Sequence, residues 1–143
     1  MPLEFSAGAV IFRKEKNKTL YLILKYGEGH WDFVKGHIGD KIKSEKAEET
    51  VIREAEEEAG ITDLRFVEGF KNKIHYFFRK DGKTYSKTVT FFLAETKKKM
   101  IKLSFEHVGY KWLGYEDALK QITYDNAQMV LKKANSFLKK VKI

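Results

Sequence analysis

The apolar positions of this chain change period several times, and each change marks an element. Phe5 to Arg13 contains the unbroken run Ala7-Gly8-Ala9-Val10-Ile11-Phe12, which predicts a buried strand. Leu20 to Tyr26 predicts a second strand, with the polar turn Glu15 to Lys18 between them. Trp31 to Val34 is a short extended piece leading into a glycine-containing loop. From Ser44 to Ala59 the spacing lengthens. Ala47, Val51 and Ala55 recur every four residues and form the buried stripe of a helix, with Ser44 as its cap and Gly60 as its stop. Glu49 and Glu56 fall on the opposite, solvated side.

Strand patterns then return over Leu64 to Lys71, Lys73 to Arg79 and Tyr85 to Glu95. Lys80-Asp81-Gly82-Lys83 joins the last two as a tight hairpin, because Asp-Gly tolerates positive φ at both central positions. Tyr110 to Leu113 is a late strand and Glu116 to Ile122 a short helix. Asp125 to Val141 is a closing helix, with Asp125 as cap and Met129, Val130, Ala134, Phe137, Leu138 and Val141 inward. The order β-β-α-β-β-β-β-α-α predicts an α+β fold, an α/β/α sandwich with a mixed sheet and flanking helices. No linker or repeat divides the chain, and 143 residues suit one domain over 1–143.

Composition narrows the chemistry. No cysteine is present, which excludes disulfides and thiol catalysis. No cationic leader precedes an apolar stretch, and no apolar run approaches the roughly 20 residues that span a bilayer. The expectation is a soluble, cytoplasmic monomer with no membrane partner. The net charge of +8 is carried by lysines such as Lys97-Lys98-Lys99, Lys132-Lys133 and Lys139-Lys140, a field that attracts nucleotides and leaves RNA open as a partner.

Against that basic background, seven carboxylates crowd between Glu45 and Glu58. Glu54, Glu57 and Glu58 are spaced i, i+3, i+4 and project close together. Such crowding costs helix stability unless a counter-charge neutralises it. Hard divalent cations prefer oxygen ligands, so a metal-dependent enzyme acting on phosphates is expected.

The same stretch resembles the Nudix hydrolase signature G-x5-E-x7-R-E-U-x-E-E-x-G-U, with U a bulky apolar residue. Here it runs Gly39, Glu45, Arg53-Glu54, Ala55, Glu57-Glu58, Gly60-Ile61, and only the small Ala55 is a soft match. Further strings resemble the asymmetrical bis(5'-nucleosyl)-tetraphosphatase branch of that family. They are Ala7-Gly8-Ala9-Val10-Ile11-Phe12-Arg13, His30-Trp31 with Lys35-Gly36-His37-Ile38, and Glu68-Gly69-Phe70-Lys71 with Tyr76. Lys87-Thr88-Val89 with Phe92-Leu93-Ala94-Glu95, and Ser104-Phe105-Glu106-His107 with Tyr110-Lys111-Trp112-Leu113, continue the series. Two positions depart from it. Val34 replaces a proline, and Gly36 lies nine positions before Glu45 where the motif has six. Either three residues are inserted between Gly39 and Ser44, the reading favoured here, or Gly39 takes the motif role.

The resemblance implies the Nudix fold and metal-dependent hydrolysis of diadenosine tetraphosphate to ATP and AMP. Related pyrophosphohydrolase substrates are the alternative: RNA 5' ends, nucleoside triphosphates or ADP-ribose. A binding module without catalysis is the rival from another class. Carried over by position, Glu54, Glu57 and Glu58 would bind Mg2+ or Mn2+, joined by Glu106 and a backbone oxygen of Gly36 or, if Gly39 takes the motif role, of Gly39. Glu54, Glu58 and Glu106 are all candidate general bases, and Arg53 would hold carboxylates in place by pairing with Glu45 or Glu57. Lys35, His37 and Lys87 are candidate phosphate contacts. Tyr76 and Phe137 are candidate stacking partners for adenine. His75 and His107 are read as structural, and Trp31 and Trp112 as packing residues, with Trp31 near the mouth.

Overall fold

The reason β1 (Leu3–Glu15) shows no alternation is that both of its faces are buried. Ala7, Ala9 and Ile11 pack on one side against Val51, Ala55 and Ala59 of α1 (Ala47–Ala59). Val10 and Phe12 pack on the other against Ala118 of α2 (Tyr115–Gln121) and Val130, Leu131, Ala134 and Leu138 of α3 (Asp125–Val141). Two apolar cores thus sandwich a single sheet. This computed structural model describes residues 1–39 and 43–141. Among them no helix is long and apolar enough to cross a membrane.

The remaining strands are β2 (Lys18–Tyr26), β3 (Trp31–Asp32), β4 (Val34–His37), β5 (Arg65–Phe66), β6 (Asn72–Lys80), β7 (Lys83–Glu95) and β8 (His107–Leu113). The sheet has eight strands, with the path β3-β2-β1-β7-β5; β4 lies beside β1, β6 beside β7 and β8 beside β2. β1 and β7 run parallel from Leu3↔Ser86 to Phe12↔Glu95, and the other pairs are antiparallel. The β6–β7 turn is the expected two-residue hairpin. Lys80 pairs with Lys83, and Asp81 and Gly82 take φ of 52° and 75°.

Several boundaries differ from the sequence reading, each for a local reason. α1 begins at Ala47, so Ser44 lies outside it. Glu49 reaches back instead to the Lys46 backbone N–H at 2.8 Å. Leu64–Lys71 is not one strand. β5 and β6 share the same edge of β7, at Glu95–Ala94 and from Phe91 onward, so the chain must step out between them, turning at Gly69. β8 starts earlier, at His107. Asp125 is the first helical residue of α3. The buried face of α3 is Ala127, Val130, Leu131, Ala134 and Leu138. Met129 points off that stripe, Val141 lies in the last turn, and both are exposed.

Candidate active site

Glu45 and Arg53 open the site. Arg53 grips Glu45 with two hydrogen bonds, Nε to Oε2 at 2.8 Å and Nη2 to Oε1 at 3.0 Å. Thr50 Oγ1 and the Gly39 N–H also donate to Glu45, at 2.7 and 3.3 Å. The Arg53 guanidinium, helped by Thr50 and Gly39 against the opposing effect of burial, holds the Glu45 carboxyl down at about 2. The rest of the fork reaches Glu54 at 3.2 Å, Glu57 at 3.4 Å and the His37 carbonyl at 3.3 Å. One arginine therefore ties the loop after β4 to the middle of α1. Both pairings expected of Arg53 are present.

Gly36 explains the other loop–helix contact. A β-carbon there would collide with the Glu54 side chain, so glycine leaves room for the Glu54 carboxylate to lie over β4. The two candidate glycines have separate duties: Gly36 lies under Glu54 and lines the cavity, whereas Gly39 serves Glu45. Residues 40–42 of the inferred insertion lie outside the described residues.

The C-terminal end of α1 is held by the segment after β7. Gly60 stops the helix at φ 68°. The carbonyls of Glu58 and Ala59 accept the N–H groups of Ser104 and Lys102, at 3.2 and 3.0 Å. This docking brings Glu106, far away in sequence, to the cavity that Glu54, Glu57 and Glu58 line. Glu58 is 5% exposed, and its Oε1 is buried without a hydrogen-bond partner. Burial, then the neighbouring Glu54 carboxylate and Glu106, push its carboxyl up to about 10. Glu54 is also raised, mainly by burial.

Glu58 beside Glu54 and Glu106 is a set of carboxylates suited to a hard divalent cation, whose charge would reverse those shifts. Among the described residues no three such side chains are already close enough to enclose an ion. Glu54, Glu57, Glu58 and Glu106 share the cavity wall.

Two clefts meet here. The first, about 620 Å³, is lined by the four carboxylates together with Arg53, Lys35, Gly36, His37 and Lys87. The second, about 580 Å³, is lined by Tyr76, Phe78, Phe91, Tyr124, His30 and Asp32 among others. Tyr26, Lys35 and Lys87 line both. Burial lowers the Lys35 ammonium, but the Asp32 carboxylate at 3.0 Å, together with Tyr76 and Glu58, leaves it raised. Lys87 is lowered by burial and then by Lys35, which places a desolvated cation at the junction. His37 is half-exposed at the rim, 3.7 Å from Glu4.

Phe137 is not brought to either cleft. It packs edge-on against Phe70 at 5.6 Å and beside Gly69, because its place on α3 faces the β5–β6 turn. Trp31 lines neither cleft and instead lies under Lys111. Sequence reasoning missed Tyr26, Asp32 and Tyr124. An acid between Trp31 and Phe33, three positions before Lys35, was the available signal. A pause in pairing at Phe33 turns the two toward each other.

The NUDIX domain family matches residues 2–132. The asymmetrical bis(5'-nucleosyl)-tetraphosphatase of Mus musculus is 35% identical over 145 residues, covering 93% of this chain and 94% of the relative. The same-named protein of Caenorhabditis elegans is 34% identical, covering 93% and 95%. The crystal structure of a C. elegans Ap4A hydrolase binary complex superposes with a TM-score of 0.82 at 33% identity, covering 95% of this chain and 98% of that one. The chain therefore belongs to the Nudix family and resembles, over nearly its whole length, the asymmetrical bis(5'-nucleosyl)-tetraphosphatases.

Proposed function

We propose that the protein hydrolyses diadenosine tetraphosphate asymmetrically, to ATP and AMP, with Mg2+ or Mn2+ as its divalent ion. Nudix hydrolases generally need such an ion. The observation that carries the reading is the meeting of a carboxylate cleft and an aromatic cleft across Lys35 and Lys87. A substrate with a nucleoside at one end and a long phosphate chain matches that pairing.

Glu54, Glu57, Glu58, Glu106 and the Gly36 carbonyl are the groups that would hold the metal. When bound, the ion supplies charge neutralisation on the phosphates and a water acidic enough to attack phosphorus. The chain's own residues do the rest. Tyr76 and Tyr124 offer flat faces to a base, and Lys35 and Lys87 fix the phosphates next to it. Anchoring one nucleoside makes the cut asymmetric, since only one phosphorus then lies at the carboxylates. Arg53 keeps Glu54 and Glu57 aimed at that point, and His37 meets the chain at the rim. The proton of the attacking water goes to one of Glu54, Glu58 or Glu106.

The protein acts as a cytoplasmic monomer on this reading, in the compartment where nucleotides are abundant. Product analysis with Mg2+ tests it. ATP plus AMP is expected; two ADP, or no turnover, removes it. A panel with RNA 5' ends, nucleoside triphosphates and ADP-ribose should show kcat/KM highest for the dinucleotide.

A further inference from the structure

His107 is fully buried, belongs to no part of the reaction described so far, and touches it at one point. Its Nε2 lies 3.5 Å from Glu58 Oε1, and both atoms lack a hydrogen-bond partner. On the other side of the ring, Nδ1 lies 3.1 Å from Ser104 Oγ. Ser104 Oγ already accepts the Glu106 N–H at 3.3 Å, so its single proton is available to donate to Nδ1. An imidazole that accepts at Nδ1 carries its proton at Nε2, and that proton faces Glu58. The ring plane is fixed by the Tyr26 ring, edge-on at 4.4 Å and itself stacked on His30 at 4.6 Å. A gap of 3.5 Å is long for a hydrogen bond, and a small turn of the Glu58 carboxylate closes it.

We infer that His107 is a positioning residue: held by Ser104 as the Nε2–H tautomer, it donates to Glu58 Oε1 and so fixes which Glu58 oxygen turns to the cavity. The same triplet links the Glu106 backbone to Glu58, so carboxylates from two distant segments are set relative to each other by one imidazole. This rests on the reading of Glu58 as a metal ligand. Outer partners of that kind typically change metal affinity 10- to 100-fold when removed.

The test has two arms. Long-range 15N–1H correlation of the metal-free protein reads the His107 tautomer directly. Nε2–H is expected, and Nδ1–H overturns the inference without any variant. The second arm is Mn2+ titration, followed by electron paramagnetic resonance, of His107→Leu and His107→Gln, with folding checked by circular dichroism. Leucine fills the space without a donor and should weaken Mn2+ binding about 10- to 100-fold. Glutamine restores an N–H and should recover most of the loss. Equal weakening by both, or none by leucine, overturns the inference. If Glu58→Gln leaves Mn2+ affinity intact, the ligand reading fails instead, and the tautomer arm still decides whether the contact exists.

Discussion

Glu45 lies just before α1 and Glu58 in its last turn, both buried, and their carboxyls are driven in opposite directions. Glu45 meets a guanidinium, a hydroxyl and a backbone N–H, and is held down at about 2. Glu58 meets burial, Glu54 and Glu106, and is pushed up to about 10. The first end is a satisfied clamp that locates the helix. The second is a crowded carboxylate whose Oε1 has no hydrogen-bond partner. Residue type cannot tell the two apart; what surrounds the carboxylate does.

The largest effect should come from the unsatisfied end. Glu58→Gln keeps shape and removes charge, and steady-state kinetics should show kcat lower by roughly 10²- to 10³-fold, the range for losing one preorganised electrostatic element. Its melting temperature should not fall. A comparable kcat in the variant would place the chemistry elsewhere.

The satisfied end should fail differently. Arg53→Ala leaves Glu45 buried and unpaired, and denaturant unfolding should report a loss of about 3–5 kcal/mol. Arg53→Lys should recover only part, because an ammonium cannot make the two-pronged contact.

Acid and base should separate the two ends in metal-free protein. Glu45 has a folded pKa below its ordinary 4.5, so its contribution is complete above that value and fades as pH falls toward 2. Glu58 has a raised folded pKa, so its contribution is complete below 4.5 and fades as pH rises toward 10. Denaturant midpoints across pH, with chelator, should therefore fall below about 4.5 through Glu45 and decline between 4.5 and about 10 through Glu58. Glu58→Gln should flatten the alkaline side alone.

The smallest effects concern the base. Tyr76→Ala should raise KM by the equivalent of about 1–3 kcal/mol with little change in kcat. Phe137→Leu should leave KM unchanged and touch only stability, since that ring faces Phe70. A KM response to Phe137→Leu would restore it to the binding site.

What was legible in the sequence follows from range. The buried run at Ala7–Phe12, the Asp81-Gly82 hairpin and the Gly60 stop are local, and the structure has them where the pattern put them. The Arg53 pairs were readable because helical spacing and a short loop set them. The start of α1 was misread because Glu49 caps the helix from inside, and Ser44 gave a competing signal. Asp32, Tyr26 and Tyr124 were illegible because their role depends on where β3, β4 and the start of α3 converge. Phe137 was misplaced because helical periodicity says that a ring points inward but not what it meets. The Ser104–His107–Glu58 contact joins the end of α1 to the segment between β7 and β8, with three strands between them in the chain, and no local pattern announces it.

The most direct test of the central claim is Mn2+ titration of metal-free wild type, Glu58→Gln and Glu49→Gln, followed by electron paramagnetic resonance. Wild type and Glu49→Gln should bind alike, since Glu49 lies on the exposed side of α1, and Glu58→Gln should bind at least tenfold more weakly. Identical affinity in all three proteins would contradict the account.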